Sequence, residues 1–149
     1  MATQPPVAVT VRPPDGWFDK TMIVYAAPDE PGRAMAPNIV VGRDALGAGE
    51  TFREYCNRQM DAFRASLPQF HREEEAPGRV NGHDAFQIIF TWASGAGVLR
   101  QRVFFISAGS GVAVSFAATA AAEDFDAHAP AFDAALATLA IDPAAAVRH

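Results

Sequence analysis

The chain has 149 residues, with 12 Lys or Arg and 17 Asp or Glu, and a net charge of −5. This length fits a single domain over residues 1–149, and the few, scattered basic residues give no electrostatic footprint for nucleic acid. A single Cys excludes an internal disulfide, and no apolar run approaches the roughly 20 residues that span a bilayer.

The amino-terminal segment MATQPPVAVTVRPP has no basic stretch followed by an apolar core, as a secretory signal would have. We therefore expect a cytoplasmic protein with no stable membrane insertion. Alternation at Val7–Val11 predicts a first strand, and the run Met22–Ala26 predicts a second. Trp17 follows a turn, and its size favours a role as a plug over one end of the core.

The clearest helix begins at Thr51, after a third predicted strand at Asn38–Arg43. Thr51 and Glu54 have the spacing of a capping box, in which two side chains satisfy backbone donors at a helix start. Pro68 ends the helix. Its apolar residues recur at spacings of three and four and predict a stripe that packs on a sheet: Phe52, Tyr55, Cys56, Met60, Phe63 and Leu67.

Three strands without helical interruption form the centre of the chain. They are AFQIIFTW, VLRQRVFFISA and VAVSFAAT, joined by glycine turns and preceded by an acidic edge strand at Phe70–Glu75. Each run is apolar at odd and even positions alike, so the sheet needs cover on both faces. A second helix is predicted over Asp126–Ala140, and the tail at 144–149 is expected to be frayed.

Residues that often carry chemistry are isolated in this sequence. Cys56 lies on the apolar stripe, where a buried hydrophobic role is the ordinary explanation. The four histidines have no spacing that would place two metal ligands on one helix face, and no serine lies in a nucleophile elbow. The glycine turns join strands and open no helix that could hold a phosphate. We therefore predict a protein that is not an enzyme and that uses no cofactor or metal.

Alternation divides the three strands into two faces if Trp92 pairs with Leu99 and Ser107 with Val112. The bulkier face should meet both helices, which leaves the other face open to a partner. The open face combines small residues with apolar anchors, and a helix could lie on it. Its predicted partner-binding residues are Ile89, Thr91, Phe104, Ile106, Ala113, Ser115 and Ala117.

Several segments, taken in order, resemble the DcrB-related family and in particular its EagR-type chaperones of type VI secretion. They are PPDGWFDKTM, NIVVGRD, LPQF, NGHDAFQIIFTW, RQRVFF and SFAATA. The resemblance implies an α+β, PsbP-like fold: a curved antiparallel sheet with two main helices packed on one face. It also implies a homodimer that grips and shields the amino-terminal transmembrane helices of an Rhs or PAAR-containing effector. Loading of that effector onto the VgrG spike would be the indirect consequence.

Two other functions stay open at this stage. One is a protein- or ligand-binding module of the same fold with a housekeeping role. The other is an enzyme, which would need a polar pocket with convergent titratable groups, such as His71 or His83 beside Cys56.

Overall fold

A computed structural model describes residues 7–142 as six strands and two helices. The strands form a single antiparallel sheet in the order β1-β2-β6-β5-β4-β3, which confirms the predicted α+β class. The elements are β1 (Ile23–Ala26), β2 (Asn38–Ala45), α1 (Phe52–Ser66), β3 (His71–Val80), β4 (His83–Ser94), β5 (Gly97–Gly109), β6 (Val112–Ala121) and α2 (Phe125–Ala137).

Strands β3 to β6 form an up-and-down meander because each connection is a tight turn. Asn81 and Gly82, between β3 and β4, both have positive φ (48° and 88°). A two-residue hairpin turn whose twist matches that of the flanking strands requires positive φ at both positions. Strand β2 then adds to the free edge of β6, and β1 adds to β2. The centre of the sheet is therefore β6, β5 and β4, the strands with the most apolar sequences.

The first helix begins as its sequence predicts. The Thr51 hydroxyl accepts the N–H of Glu54 at 3.1 Å, and the Glu54 carboxylate accepts the N–H of Thr51 at 2.9 Å. Helix α2 starts at Phe125 and ends at Ala137, three residues before the predicted end. The Asn81 side-chain amide donates to the carbonyls of Leu136 and Leu139, so a group from a distant turn satisfies this helix end.

The two helices pack on opposite faces of the sheet, which corrects the expectation that both lie on one face. Tyr55 and Cys56 of α1 belong to one buried cluster, and Phe125 and Phe132 of α2 belong to another. The reason is the double-sided apolar character of β4 to β6, since each face needs a cover. We call the two sides the α1 face and the α2 face.

Two predictions for the amino-terminal part are wrong. Val7–Val11 is not a strand, and its three valines are between 70 and 89% exposed. Trp17 is 74% exposed and covers no end of the core. Hydrophobic alternation cannot form a strand without a neighbour to pair with, and β1 pairs only with β2 among the residues described. The tail at 144–149 lies outside the described residues.

Candidate partner-binding surface

Helix α2 covers the part of the α2 face that lies mainly over β5 and β6. Phe125 and Phe132 lie 5.4 Å apart by ring centroid and pack against a cluster that includes Phe104, Ile106 and Phe116. Ile106 is 0% exposed and Phe104 is 8% exposed. These two residues were predicted to contact a partner, but the protein's own helix occupies that position.

Two arginines of β5 on the α2 face bind other groups of the chain. Arg102 donates to the Asp133 carboxylate on α2 and to the side-chain amide oxygen of Gln87 on β4, and its guanidinium lies 4.8 Å from the Phe104 ring centroid. Arg100 donates to both carboxylate oxygens of Glu73. Both cations therefore bind carboxylates of the chain itself, through charge-assisted hydrogen bonds.

A bulge in β5 explains why the seven predicted residues do not share one face. Trp92 pairs with Leu99 as predicted, but the register of β5 and β6 shifts between Ser107 and Gly109, so that Ser107 pairs with Ala113. A shift of one residue exchanges the faces of a whole strand. Ile89, Thr91, Phe104 and Ile106 consequently lie on the α2 face, whereas Ala113, Ser115 and Ala117 lie on the α1 face.

On the α1 face the largest side chains lie in the strands under α1, and smaller ones lie towards β1. One row of paired residues runs from Ile88 and Val103 to Ala117, Val40 and Val24. The next two rows also go from large to small side chains. One runs from Phe86 and Phe105 to Ser115 and Gly42, and the other from Phe90 and Gln101 to Thr119, Asn38 and Ala26. The bulky end of each row lies beneath α1.

The small end of these rows is not covered by either helix. Val24 is 57% exposed, and Val40 and Ser115 belong to neither apolar cluster. We call this surface the open strip; it consists of Val24, Ala26, Asn38, Val40, Ser115 and Ala117. Ala117 also packs against the apolar cluster under α1, and Gly42, in the row of Ser115, is buried. Met22 lies at the end of the open strip, where its side chain would be 3.6 Å from a Cβ placed on Gly42. Small side chains let the backbone of a partner approach a sheet closely.

Polar groups in and beside the open strip are arranged in two ways. Next to it, the Trp92 indole N–H donates to the side-chain amide oxygen of Gln101 at 2.6 Å, and the side-chain amide N–H of Gln101 donates to the Thr119 hydroxyl at 3.0 Å. Within it, the side chains of Asn38 and Ser115 have no hydrogen-bond partner among residues 7–142. The first set is fixed internally, while the second can bind polar groups of a partner.

The two edges of the sheet differ in how well they resist pairing with another chain. Edge strand β3 has an acidic run at Glu73–Glu75, a proline at Pro77 and a register shift, all of which discourage a further strand. Edge strand β1 has the sequence IVYA, and its Ile23, Val24 and Tyr25 are between 53 and 59% exposed. It has no charge, proline or bulge of its own, so β1 is the edge that can accept a partner.

Groups that could carry chemistry are far from one another. Cys56 is on the side of α1 that faces the sheet, and burial raises the pKa of its thiol to about 11. His71 and His83 belong to rows on the α2 face, the opposite side of the sheet, and His83 contacts the Ser107 carbonyl at 3.2 Å. Residues 7–142 contain no cluster of three or more His, Cys, Asp or Glu suited to a metal ion, and neither helix there has the length and apolarity for a membrane crossing.

Comparisons with known proteins concern both family and fold. A family model described as DcrB matches residues 10–138. The structure of PA94 from Pseudomonas aeruginosa, described as a protein of unknown function and a candidate regulator, has a TM-score of 0.76 and 25% identity over 87% of this chain and 89% of that one.

Two further solved structures are more distant. LpqN of Mycobacterium tuberculosis, involved in cell envelope biogenesis, has a TM-score of 0.56 and 16% identity, over 71% of this chain and 62% of LpqN, and shares the fold alone. The PsbP protein of Synechocystis sp. PCC 6803 has a TM-score of 0.49 and 12% identity, over 79% and 91% of the two chains. No curated protein sequence matches this chain.

Proposed function

This chain belongs to the DcrB family, and from that premise we propose that it is a chaperone and adaptor for a type VI secretion effector. In this proposal it binds and shields the amino-terminal transmembrane helices of an Rhs or PAAR-containing effector in the cytoplasm. Shielding keeps the effector available for loading onto the VgrG spike. The observation that carries the proposal is the open strip, a sheet surface of small and apolar residues that neither helix covers.

The composition of the open strip suits a transmembrane helix. Such helices associate through small residues that permit close backbone approach, and through Ser, Thr, Asn or Gln side chains that hydrogen-bond across the interface. Ala26 and Ala117 provide the first property, and the unpartnered Asn38 and Ser115 provide the second. A helix with apolar surface would gain about 25 cal/mol for each Å² removed from water, before the cost of association. Holding the helix needs no ATP.

A second copy of this chain is the partner that we propose for the free edge of β1. Pairing two β1 edges would satisfy backbone groups of Ile23–Ala26 and would cover apolar side chains on both faces. It would also place two open strips in one assembly, so that two effector helices could be held together. Light scattering should therefore give the mass of two copies, and the mass of one copy would contradict this part of the proposal.

The placement of the effector helix can be tested with two double variants of β1. Val24→Asp with Ala26→Asp puts two charges on the open strip. Ile23→Asp with Tyr25→Asp puts the same charges on the same strand but on the opposite face. Each variant would be co-expressed with an effector fragment that contains the amino-terminal apolar helices, followed by a pull-down. We expect the first variant to lose the fragment and the second to retain it.

Three outcomes would contradict the proposal. Retention of the fragment by both double variants would show that the open strip does not hold it. Loss of the fragment by both double variants, while both remain folded, would show that binding depends on the edge of β1 and not on the open strip. If the wild type fails to keep any effector fragment soluble, the chaperone function itself is wrong, and a binding module with a housekeeping role becomes the better explanation.

A further inference from the structure

A cavity lies on the other side of α1 from the open strip. It has a volume of about 370 Å³ and is bounded by one side of α1 and by the β3–β4 hairpin. Ligand pockets in proteins range from about 300 to 1,000 Å³, so this cavity suits a small molecule. Nothing in the proposed function uses it, because the open strip lies over β6, β2 and β1.

The inner wall of the cavity is apolar. Phe52, Cys56 and Met60 follow one another at intervals of four along α1 and so form one row that faces the hairpin. Phe86 of β4 and Pro77 of β3 form the opposite side. Because these side chains leave a gap between helix and hairpin, an apolar group that entered it would be removed from water.

The charged groups at the rim leave one cation without a partner. The Glu75 carboxylate is 3.2 Å from Arg72, and the Asp84 carboxylate is 2.8 Å from Arg79, so both acids that line the cavity are paired. Arg53 forms no ion pair within residues 7–142, and Asn57, one turn further along α1, has no side-chain hydrogen bond there. A guanidinium and an amide next to each other can bind both oxygens of a carboxylate.

We propose that this cavity binds a medium-chain alkyl carboxylate, with its chain against Phe52, Met60 and Phe86 and its carboxylate on Arg53 and Asn57. The apolar wall and the single unpaired cation at its rim match the two ends of such a molecule. The site is independent of the open strip, so it can exist whether or not the chain is an effector chaperone.

Decanoate is the probe for this proposal, and the methionine methyl groups report where it binds. In protein labelled with ¹³C at the methionine methyls, titration with decanoate should shift the Met60 signal. Met22, at the end of the open strip, and Met35, in the loop after β1, should not move. A shift at Met22 without one at Met60 would place the ligand on the open strip and would overturn the proposal.

Charge variants test the carboxylate contact. Arg53→Glu should weaken decanoate binding about tenfold or more, because it replaces a charge-assisted hydrogen bond with repulsion. The matched control is Arg64→Glu, an exposed arginine of the same helix that is paired with Asp61 and does not line the cavity. Decanol should bind wild type and Arg53→Glu equally. Unchanged decanoate affinity in folded Arg53→Glu, or equal binding of decylamine and decanoate to the wild type, would refute the assignment.

Discussion

Replacing Phe132 with alanine tests whether α2 is an integral cover of the sheet. Phe132 is 5% exposed, and its ring packs against Phe125 and the cluster around Phe104 and Ile106. Removal of a buried Phe ring costs about 3–5 kcal/mol through lost burial and the cavity that remains. Part of this cost is the contact with the Phe125 ring, and such aromatic pairs are worth about 0.5–1.5 kcal/mol beyond their buried area.

The expected loss is large in relation to the stability of a domain of this size. Native domains are stable by about 5–15 kcal/mol, so Phe132→Ala should remove a substantial fraction of the free energy of unfolding. At about 2–4 °C per kcal/mol for a chain near 150 residues, Tm should fall by roughly 6–20 °C. Urea denaturation should show a lower midpoint with an unchanged slope, because the surface exposed on unfolding stays nearly the same.

Phe18→Ala is the control for this experiment. Phe18 is 87% exposed, so its truncation should change the free energy of unfolding by no more than about 0.5 kcal/mol. The reasoning fails if Phe132→Ala costs less than about 1 kcal/mol, since the helix would then contribute little to the core. It also fails if the two variants are destabilised equally, since burial would then not determine the loss.

Three further predictions concern α1 and its surroundings. Thr51→Ala removes the hydroxyl that accepts the Glu54 N–H and should lower the free energy of unfolding by about 1 kcal/mol in urea denaturation; an unchanged midpoint would mean that the cap adds nothing. Arg58, through its hydrogen bonds, and the Gly47 N–H lower the pKa of Glu50 to about 2 from 4.5. The contribution of the ionised Glu50 carboxylate to stability should be complete above pH 4.5 and lost as the pH falls towards 2. The urea midpoint of Glu50→Gln should therefore fall less steeply than that of the wild type in this range. Identical acid profiles of the two proteins would contradict the ion pair. The Cys56 thiol, with its pKa raised to about 11 by burial, should resist iodoacetamide in the native protein and react only in urea, and rapid native labelling would show that α1 opens.

Sequence patterns predicted the three central strands, β4 to β6, and the residue at which α1 begins. The capping box at Thr51, the stop at Pro68 and the Asn81-Gly82 turn act through local backbone chemistry, which a sequence states directly. The run of apolar residues at both odd and even positions indicated that both faces of the sheet need cover, whereas the prediction that one face stays open to a partner was wrong for the region over β5 and β6. The assignment of both helices to one face contradicted the need for cover on both faces, and the structure resolves the conflict by giving each face its own helix.

The candidate surface could not be derived reliably from the sequence because it depends on the pairing register of β5 with β6. The segment SAGSG allows a two-residue turn at Ser110-Gly111, which pairs Gly109 with Val112, but nothing local shows that Ala108 bulges out of the ladder. A usable signal was nevertheless present in β6, where the small residues Ala113, Ser115 and Ala117 share one face and the larger Val114 and Phe116 lie on the other. These small residues identify the face of β6 on which the open strip lies, and this holds for any register between β6 and its neighbours.

The difference between the two sheet edges limits how large an assembly of this chain can become. If two copies join through β1 about a two-fold axis, the continuous sheet that results ends in β3 on both sides. Both outer margins then present Glu73–Glu75 and Pro77, which repel any additional strand. Association by this route therefore stops at a pair and does not continue into fibres.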